Sequence, residues 1–514
     1  MPQGKNKGKN PIMANEDKQY AQLIACKYWR RGRDSNPRYG VTVRLISSQV
    51  HSTTLPPLRG GAFYQQLGRI GGLVRLGKAR WAALACCALL ASCKPTDETA
   101  DGARILTVIV PDARVGALAS FEHDLVDLFA SRIHARVKLR ELPAKQARSA
   151  VLAHRAQFAA GLDRAGTAGL QLGPTYRTAR LQVLCGASTP KDLEQLAKLP
   201  LAVVAGSVEE LALKKAQASQ PSLSWESRTG VLQPKLLDDV IRGDLGCTLA
   251  SEHLVSKLRN LHPGLEPSFD MDDPVEFVWA FPPDADKTLQ QQAETFFAEI
   301  KADGTLRNLL DRHFRPQEKY LTPQEAANFI LKIETELPRY RKLFEDAERV
   351  SGIGWQLVAA VAFHESNWDP SATSPTNVRG MMMLTEDTAE RMNVNDRLNA
   401  RQSTLGGVRY LKLIKSRLPP SIEEPDRTWF ALAAYNQGMA HLEDARVLAQ
   451  RRGLNPNYWA DVKRVLPLLA DPAIHSSLKF GSARGGEAVF MVEKIRQYSE
   501  ILMDLSAETA AEVD

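Results

Sequence analysis

Cysteine is scarce in this chain, six residues in 514, which excludes a small scaffold built on disulfides. No apolar run approaches the roughly 20 residues that a membrane-spanning helix needs. Acidic residues are nearly missing from the first 92 positions, where 15 Lys and Arg face only Glu16, Asp17 and Asp34. Of the 66 basic and 59 acidic residues in the whole chain, 51 and 56 therefore fall in 93–514, a balance of −5. The net charge of +7 belongs to the leading segment, and the mildly acidic remainder leaves no footprint for a nucleic-acid partner. With 44% hydrophobic residues, the length suffices for two or three globular domains.

Residues 74–93 read VRLGKARWAALACCALLASC: a basic start at Arg75, Lys78 and Arg80, then a short apolar core from Trp81 to Leu90. That order predicts a signal peptide over 74–92. Leu90-Ala91-Ser92-Cys93 resembles a lipobox, which implies cleavage before Cys93, a diacylglycerol on its thiol and acylation of its new amine. Several acyl chains make a stable membrane anchor. Lys94 in place of aspartate then points to the periplasmic face of the outer membrane; a plain secretory signal is the alternative. Residues 1–73 show neither helical nor strand periodicity and would bury the signal inside the chain. Asp34-Ser35-Asn36-Pro37 is what GATTCGAACCC would encode, a string that resembles the complement of a tRNA T-arm. A start assigned too far upstream is the expectation, with Val74 or Leu76 as initiator, and a disordered basic extension the alternative.

After a polar tether over 93–103, residues 104–316 alternate apolar strands with amphipathic helices, which predicts an α/β domain with a largely parallel sheet. Strands are expected at 105–110, 135–139, 182–185, 201–204 and 245–250, and helices at 121–133, 145–153, 209–218, 234–242 and 287–313. Cys185 and Cys247 sit in two of these strands, either paired or as two buried thiols. From Pro323 the pattern is nearly all helical to 505, with Gly406 and Gly438 read as breaks and 506–514 as a tail.

In the helical part, Trp355, Val358, Val361 and Ala362 recur at helical spacing, and Glu365 follows one turn past Val361 on the same face. A carboxyl there is desolvated, which raises its pKa and suits a general acid. The alternative is that Glu365 ends the helix and points into water. Asp369, the next carboxylate, falls in the turn leaving the helix, so no second catalytic acid is apparent.

Three separated pieces, Glu365-Ser366, Gly380-Met381-Met382-Met383 and Ala434-Tyr435-Asn436, together resemble the lysozyme-like lytic transglycosylase family in order and spacing. The Met383-Leu384-Thr385 ending is similar to one branch, the membrane-bound lytic murein transglycosylase F group. Residues 104–316 resemble the bacterial extracellular solute-binding domains that take amino acids, through Phe121-Glu122-His123-Asp124-Leu125, Val203-Val204-Ala205-Gly206-Ser207 and Asp303-Gly304-Thr305-Leu306.

These resemblances imply a two-lobed periplasmic-binding-protein-like α/β domain over 104–316, followed by a mostly α lysozyme-like domain over 317–505. They imply peptidoglycan glycan strands as substrate and neither cofactor nor metal. Glu365 would be the catalytic acid; Ser366, Gly380, Met381, Met382, Met383, Tyr435 and Asn436 would form the substrate cleft. A one-acid site fits lytic cleavage of the N-acetylmuramic acid to N-acetylglucosamine bond, with 1,6-anhydromuramyl ends as product. Ser366 either bonds Glu365 or an N-acetyl group, or satisfies a backbone carbonyl; Met381, Met382 and Tyr435 read as core or as cleft wall. Relatives often carry a further tyrosine before the last helix, where this chain has Phe490-Met491-Val492. Amino-acid binders carry a Thr-x-x-Arg clamp where this chain has 161–169, GLDRAGTAG, with only Arg164 to replace it. The Gly206-Ser207 turn offers N–H groups to a ligand carboxylate or is an ordinary helix cap. Muropeptides, not free amino acids, are the ligand expected at 104–316. The competing function is an outer-membrane lipoprotein receptor for a small solute or muropeptide, with a glycan-binding domain that does not cut.

Overall fold

The structure, a computed structural model, describes residues 104–112, 117–314 and 320–511. The expected extension 1–73, signal peptide 74–92, lipidation site Cys93 and tether 93–103 lie outside the described residues.

The apolar strand β1 (Ile105–Val110) lies parallel to β2 (Arg136–Glu141) on one side and β3 (Phe158–Asp163) on the other. Charged residues on β2 suit its place at the sheet edge. Helices α1 (Ala117–Arg132) and α2 (Ala144–Leu152) make the connections. Glu122 of α1 is fully buried and accepts hydrogen bonds from Tyr176 Oη (2.5 Å) and Trp279 Nε1 (3.3 Å). Beyond β3 come β4 (Gln171–Leu172) and β5 (Arg177–Ala179), both paired with β11 (Val275–Phe281), which runs antiparallel beside β3.

A second lobe holds β6 (Leu181–Cys185), β9 (Cys247–Ser251) and β10 (Phe269–Asp270), all antiparallel, beside the parallel pair β7 (Ala202–Val204) and β8 (Glu226–Arg228). Its helices are α3 (Val208–Ala216), α4 (Gln233–Arg242) and α5 (Glu252–Leu261). The sheets are thus mixed, not largely parallel. The chain leaves the first lobe after β5 and returns as β11, which must then run against β3. Cys185 and Cys247 stand opposite each other in the β6/β9 register and form a disulfide. The expected helix over 287–313 is two, α6 (Lys287–Ala302) and α7 (Thr305–Phe314), parted at Gly304, whose φ is +85°.

The helical domain opens with α8 (Pro323–Thr335), started by a reciprocal capping box between Thr322 and Glu325. It continues through α9 (Leu337–Ser351), α10 (Trp355–Ser366), α11 (Glu386–Arg391), α12 (Ala400–Arg417), α13 (Asp426–Gln437) and α14 (Met439–Arg451) to α15 (Gly485–Ala511). α15 runs on through the first part of the stretch read as a tail. α10 is buried on nearly every side, not on one face, because it is the axis on which α9 and α15 pack. Gly406 does not break α12. A Cβ there would meet Val394 Cγ2 at 2.3 Å, so this glycine and Gly407 serve close packing inside the helix.

α7 joins the two parts through buried charge. Arg496 of α15 donates to Asp311 Oδ2 (3.0 Å) and to the Asp311 carbonyl (3.1 Å), and Lys463 also pairs with Asp311. Asn308 donates to Asp426 Oδ2 (2.9 Å) at the start of α13. Burial opposes ionisation of Asp311, but Arg496 and Lys463 outweigh it and hold its pKa below the usual carboxylate range.

Candidate active site

Glu365 lies in the last turn of α10, after the buried run Val358 to Phe363. No carboxylate or cation of the described residues bonds its carboxyl, and burial alone pushes its pKa up to about 8. The neighbouring His364 is driven the other way by burial, to about 4, and is neutral at pH 7. Asp369 is exposed and accepts from the Ser371 hydroxyl (2.7 Å) and N–H (2.8 Å), which hold its pKa down. The two carboxyls nearest in sequence are therefore in opposite states at neutral pH: Glu365 carries a proton, Asp369 does not.

α10 ends on two consecutive residues with positive φ, Asn367 at 52° and Trp368 at 61°. Two such non-glycine residues in a row are strained and persist only where the surroundings dictate them. Here the Trp368 ring is buried against the core and its Nε1 donates to the Ala359 carbonyl (2.8 Å), folding the exit turn back beneath the helix that carries the acid.

The 380–384 turn forms a wall beside it. Ser366 Oγ donates to the carbonyls of Ala362 and Met381 (3.0 Å each), so the backbone reading of this serine is the one found. Met381 and Met382 are wholly buried and act as core, while Met383 is half-buried with a strained φ of 45°. Tyr435 Oη donates to the Met382 carbonyl (2.8 Å). Burial, and then the charge of Glu365, push the Tyr435 pKa far up, so its phenol stays protonated near the acid. Asn436 is exposed at the end of α13, which Gly438 caps with φ 89°. Six of the expected residues are thus brought together: Glu365, Ser366, Gly380, Met381, Met382 and Tyr435. Asn436 and Met383 sit at the margin of the same cluster.

Sequence reasoning missed the support of this wall. Ser403 Oγ accepts from Met382 N–H (3.2 Å), and Arg397 donates to the carbonyls of Asn377 (2.7 Å) and Leu384 (3.1 Å). A Cβ on Gly380, whose φ is 82°, would fall 1.8 Å from the Arg397 carbonyl oxygen. A Cβ on Gly407 would fall 2.8 Å from Met382 Cβ. The Gly406-Gly407 pair inside a helical pattern was the available signal.

In the first domain, the two elements read as carboxylate binders are engaged internally. Gly206 N–H donates to Glu210 Oε2 (2.7 Å), Ser227 Oγ to Glu210 Oε1 (2.6 Å), and Ser207 caps α3. Burial opposes ionisation of Glu210, but Ser227, Gly206 and Lys214 outweigh it and bring its pKa to about 2. Arg164 Nε lies 2.8 Å from Glu276 Oε2, and its Nη2 donates to Thr175.

A family model described as Transglycosylase SLT domain matches residues 342–456, which hold this whole cluster. The chain is 41% identical over 393 residues to a membrane-bound lytic murein transglycosylase F of Methylobacillus flagellatus, covering 75% of this chain and 83% of that one. It is also 41% identical over 433 residues to the Nitrosospira multiformis protein of the same name, covering 81% and 90%. The chain belongs to the membrane-bound lytic murein transglycosylase F family. It is accordingly a lytic transglycosylase. Solved structures similar to the first domain include an ancestral arginine-binding protein bound to arginine (15% identity, 41% of this chain, 98% of that one, TM-score 0.36). Another is the GluR0 ligand-binding core from Nostoc punctiforme in complex with (L)-glutamate (16%, 41%, 100%, 0.35).

Proposed function

We propose that this transglycosylase cleaves the MurNAc-β-1,4-GlcNAc bond of peptidoglycan with Glu365 as its one acid and base, leaving 1,6-anhydromuramyl ends. The observation that carries the reading is the Glu365 carboxyl at the end of α10, without a bonded partner among the described residues and with its pKa pushed up by burial to about 8, while Asp369 is exposed and engaged by Ser371. Glu365 gives its proton to the glycosidic oxygen as the bond to muramyl C1 breaks. The resulting carboxylate takes the proton of the muramyl C6 hydroxyl, whose oxygen closes on C1. No water enters, and the intramolecular attack draws on the high effective molarity of a tethered nucleophile. The wall at 380–384 and Tyr435 position the sugars, and exposed Asn436 is free to meet them.

The test is Glu365→Gln, which keeps shape and removes the acid. Release of muropeptides from sacculi should fall by ~10²–10⁴-fold. Digestion near the wild-type rate would exclude Glu365 as the acid.

The same proposal includes a lipid anchor at Cys93 in the outer membrane, supported by the lipobox-like Leu90-Ala91-Ser92-Cys93 and by relatives named membrane-bound. It also assigns 104–316 to holding the enzyme on murein peptide stems. In support, Glu210 and Glu276 already occupy the groups that a free amino acid's carboxylate would need.

A further inference from the structure

Outside the Glu365 cluster, α14 and the segment leading to α15 line an open cavity of about 440 Å³. Met439 and Val447 line one side, Leu478 and Phe480 the other, and Lys479 and Arg451 stand on the rim. Phe480 is 45% exposed, a costly position for a phenyl ring. Its loop is nonetheless fixed. The 4% exposed carboxylate of Asp444 accepts from Phe480 N–H (2.8 Å) and Lys479 N–H (3.2 Å), and Lys479 Nζ lies 5.0 Å from the centre of the Phe480 ring. A buried charge spent on presenting an aromatic and a cation to water is the mark of a recognition surface.

The charges decide what it recognises. Asp444 is consumed by the loop, and Glu443 is paired with Arg446 at 2.6 Å. Arg451 reaches only the Ser477 carbonyl (3.3 Å), and neither Arg451 nor Lys479 has an acidic partner among the described residues. Two unspent cations over an apolar floor suit an acidic, partly apolar ligand. One lining residue, Met439, is close in sequence to the margin of the Glu365 cluster. Met439 follows Asn436 by three residues, so their Cα atoms are within ~11 Å.

We propose that this cavity binds a carboxylate-bearing peptide stem of the strand being cut, with Lys479 and Arg451 pairing its carboxylates and Phe480 covering its apolar side chains. This rests on the murein-cleaving reading and gives the catalytic domain its own means of preferring peptide-bearing over naked glycan. It is separate from the stem-binding role of 104–316.

The experiment compares kcat/KM of the complete chain from 94 to 514 on peptide-bearing sacculi and on the same sacculi stripped of stems by an amidase. In Lys479→Ala/Arg451→Ala the ratio of the two should fall about tenfold, through KM on the peptide-bearing substrate, since a tenfold change corresponds to about 1.4 kcal/mol. Lys479→Arg should restore part of it, and the loss should shrink at high salt. Both variants alter exposed side chains, so folding is not at issue. An unchanged ratio would assign any stem preference to the other domain and overturn the proposal. So would equal losses on both substrates, which mark a structural role. Absence of cleavage by the wild type on either substrate would instead refute the murein-cleaving reading itself.

Discussion

At Glu365 the helical spacing of Trp355, Val358 and Val361 carried the essential information: an acid at the end of an apolar helix is desolvated. What spacing did not show is that α10 is buried on nearly every side, and burial takes the Glu365 pKa to about 8. Because Glu365 must start protonated, kcat/KM should hold through neutral pH and fall about tenfold per unit above pH 8. A limb near pH 5 instead would mean a solvated carboxyl. Stability follows the same group with a definite sign. Its pKa is raised on folding, so its contribution is full below about 4.5 and is lost as pH rises towards 8. The melting temperature of Glu365→Gln should therefore gain on the wild type between pH 5 and pH 8. The backbone-bonding role of Ser366 was one of the two read from the sequence, whereas that of Tyr435 was not, since its acceptor, the Met382 carbonyl, comes from a segment whose turn the sequence does not announce.

At the scale of elements, the helical nature of the stretch from Pro323 to 505 was readable from its apolar spacing. Strands β3 and β11 were missed. Both are buried on almost every residue, with no alternation of polar and apolar positions to mark them. Gly406, read as a break, and its neighbour Gly407 instead let α12 pack closely, Gly406 on Val394 and Gly407 on Met382. Gly407→Ala should gain up to ~1 kcal/mol of helix propensity but lose ~1–3 kcal/mol to the overlap with Met382, so the clash wins. Thermal unfolding should report the loss and sacculus digestion a lower kcat. A stabilised, fully active variant would show that the wall does not depend on this contact. No sequence pattern announced the α7 interface, because its partners are over a hundred residues apart. Asp311→Ala leaves Arg496 and Lys463 buried without their anion and should cost ~3–5 kcal/mol in urea unfolding. Glu345→Ala, which removes a surface pair with Arg341, should cost under ~0.5 kcal/mol. Equal effects would contradict a structural role for the buried network.

For the whole molecule, the first domain has two lobes, and the two elements read from the sequence as carboxylate binders are engaged by Glu210 and Glu276. Free amino acids at millimolar concentration should leave the melting temperature of 94–514 unchanged, while muropeptides should raise it by mass action. A saturable shift with any free amino acid would reverse that assignment. Cys93→Ala should release the protein from the membrane into the periplasm; fractionation would show it. The central claim, one acid and no water, is tested most directly by mass analysis of the muropeptides that purified 94–514 releases from sacculi. The account predicts muramyl ends in the 1,6-anhydro form from the first turnovers. Reducing muramic acid ends would show that water attacks, and would contradict it.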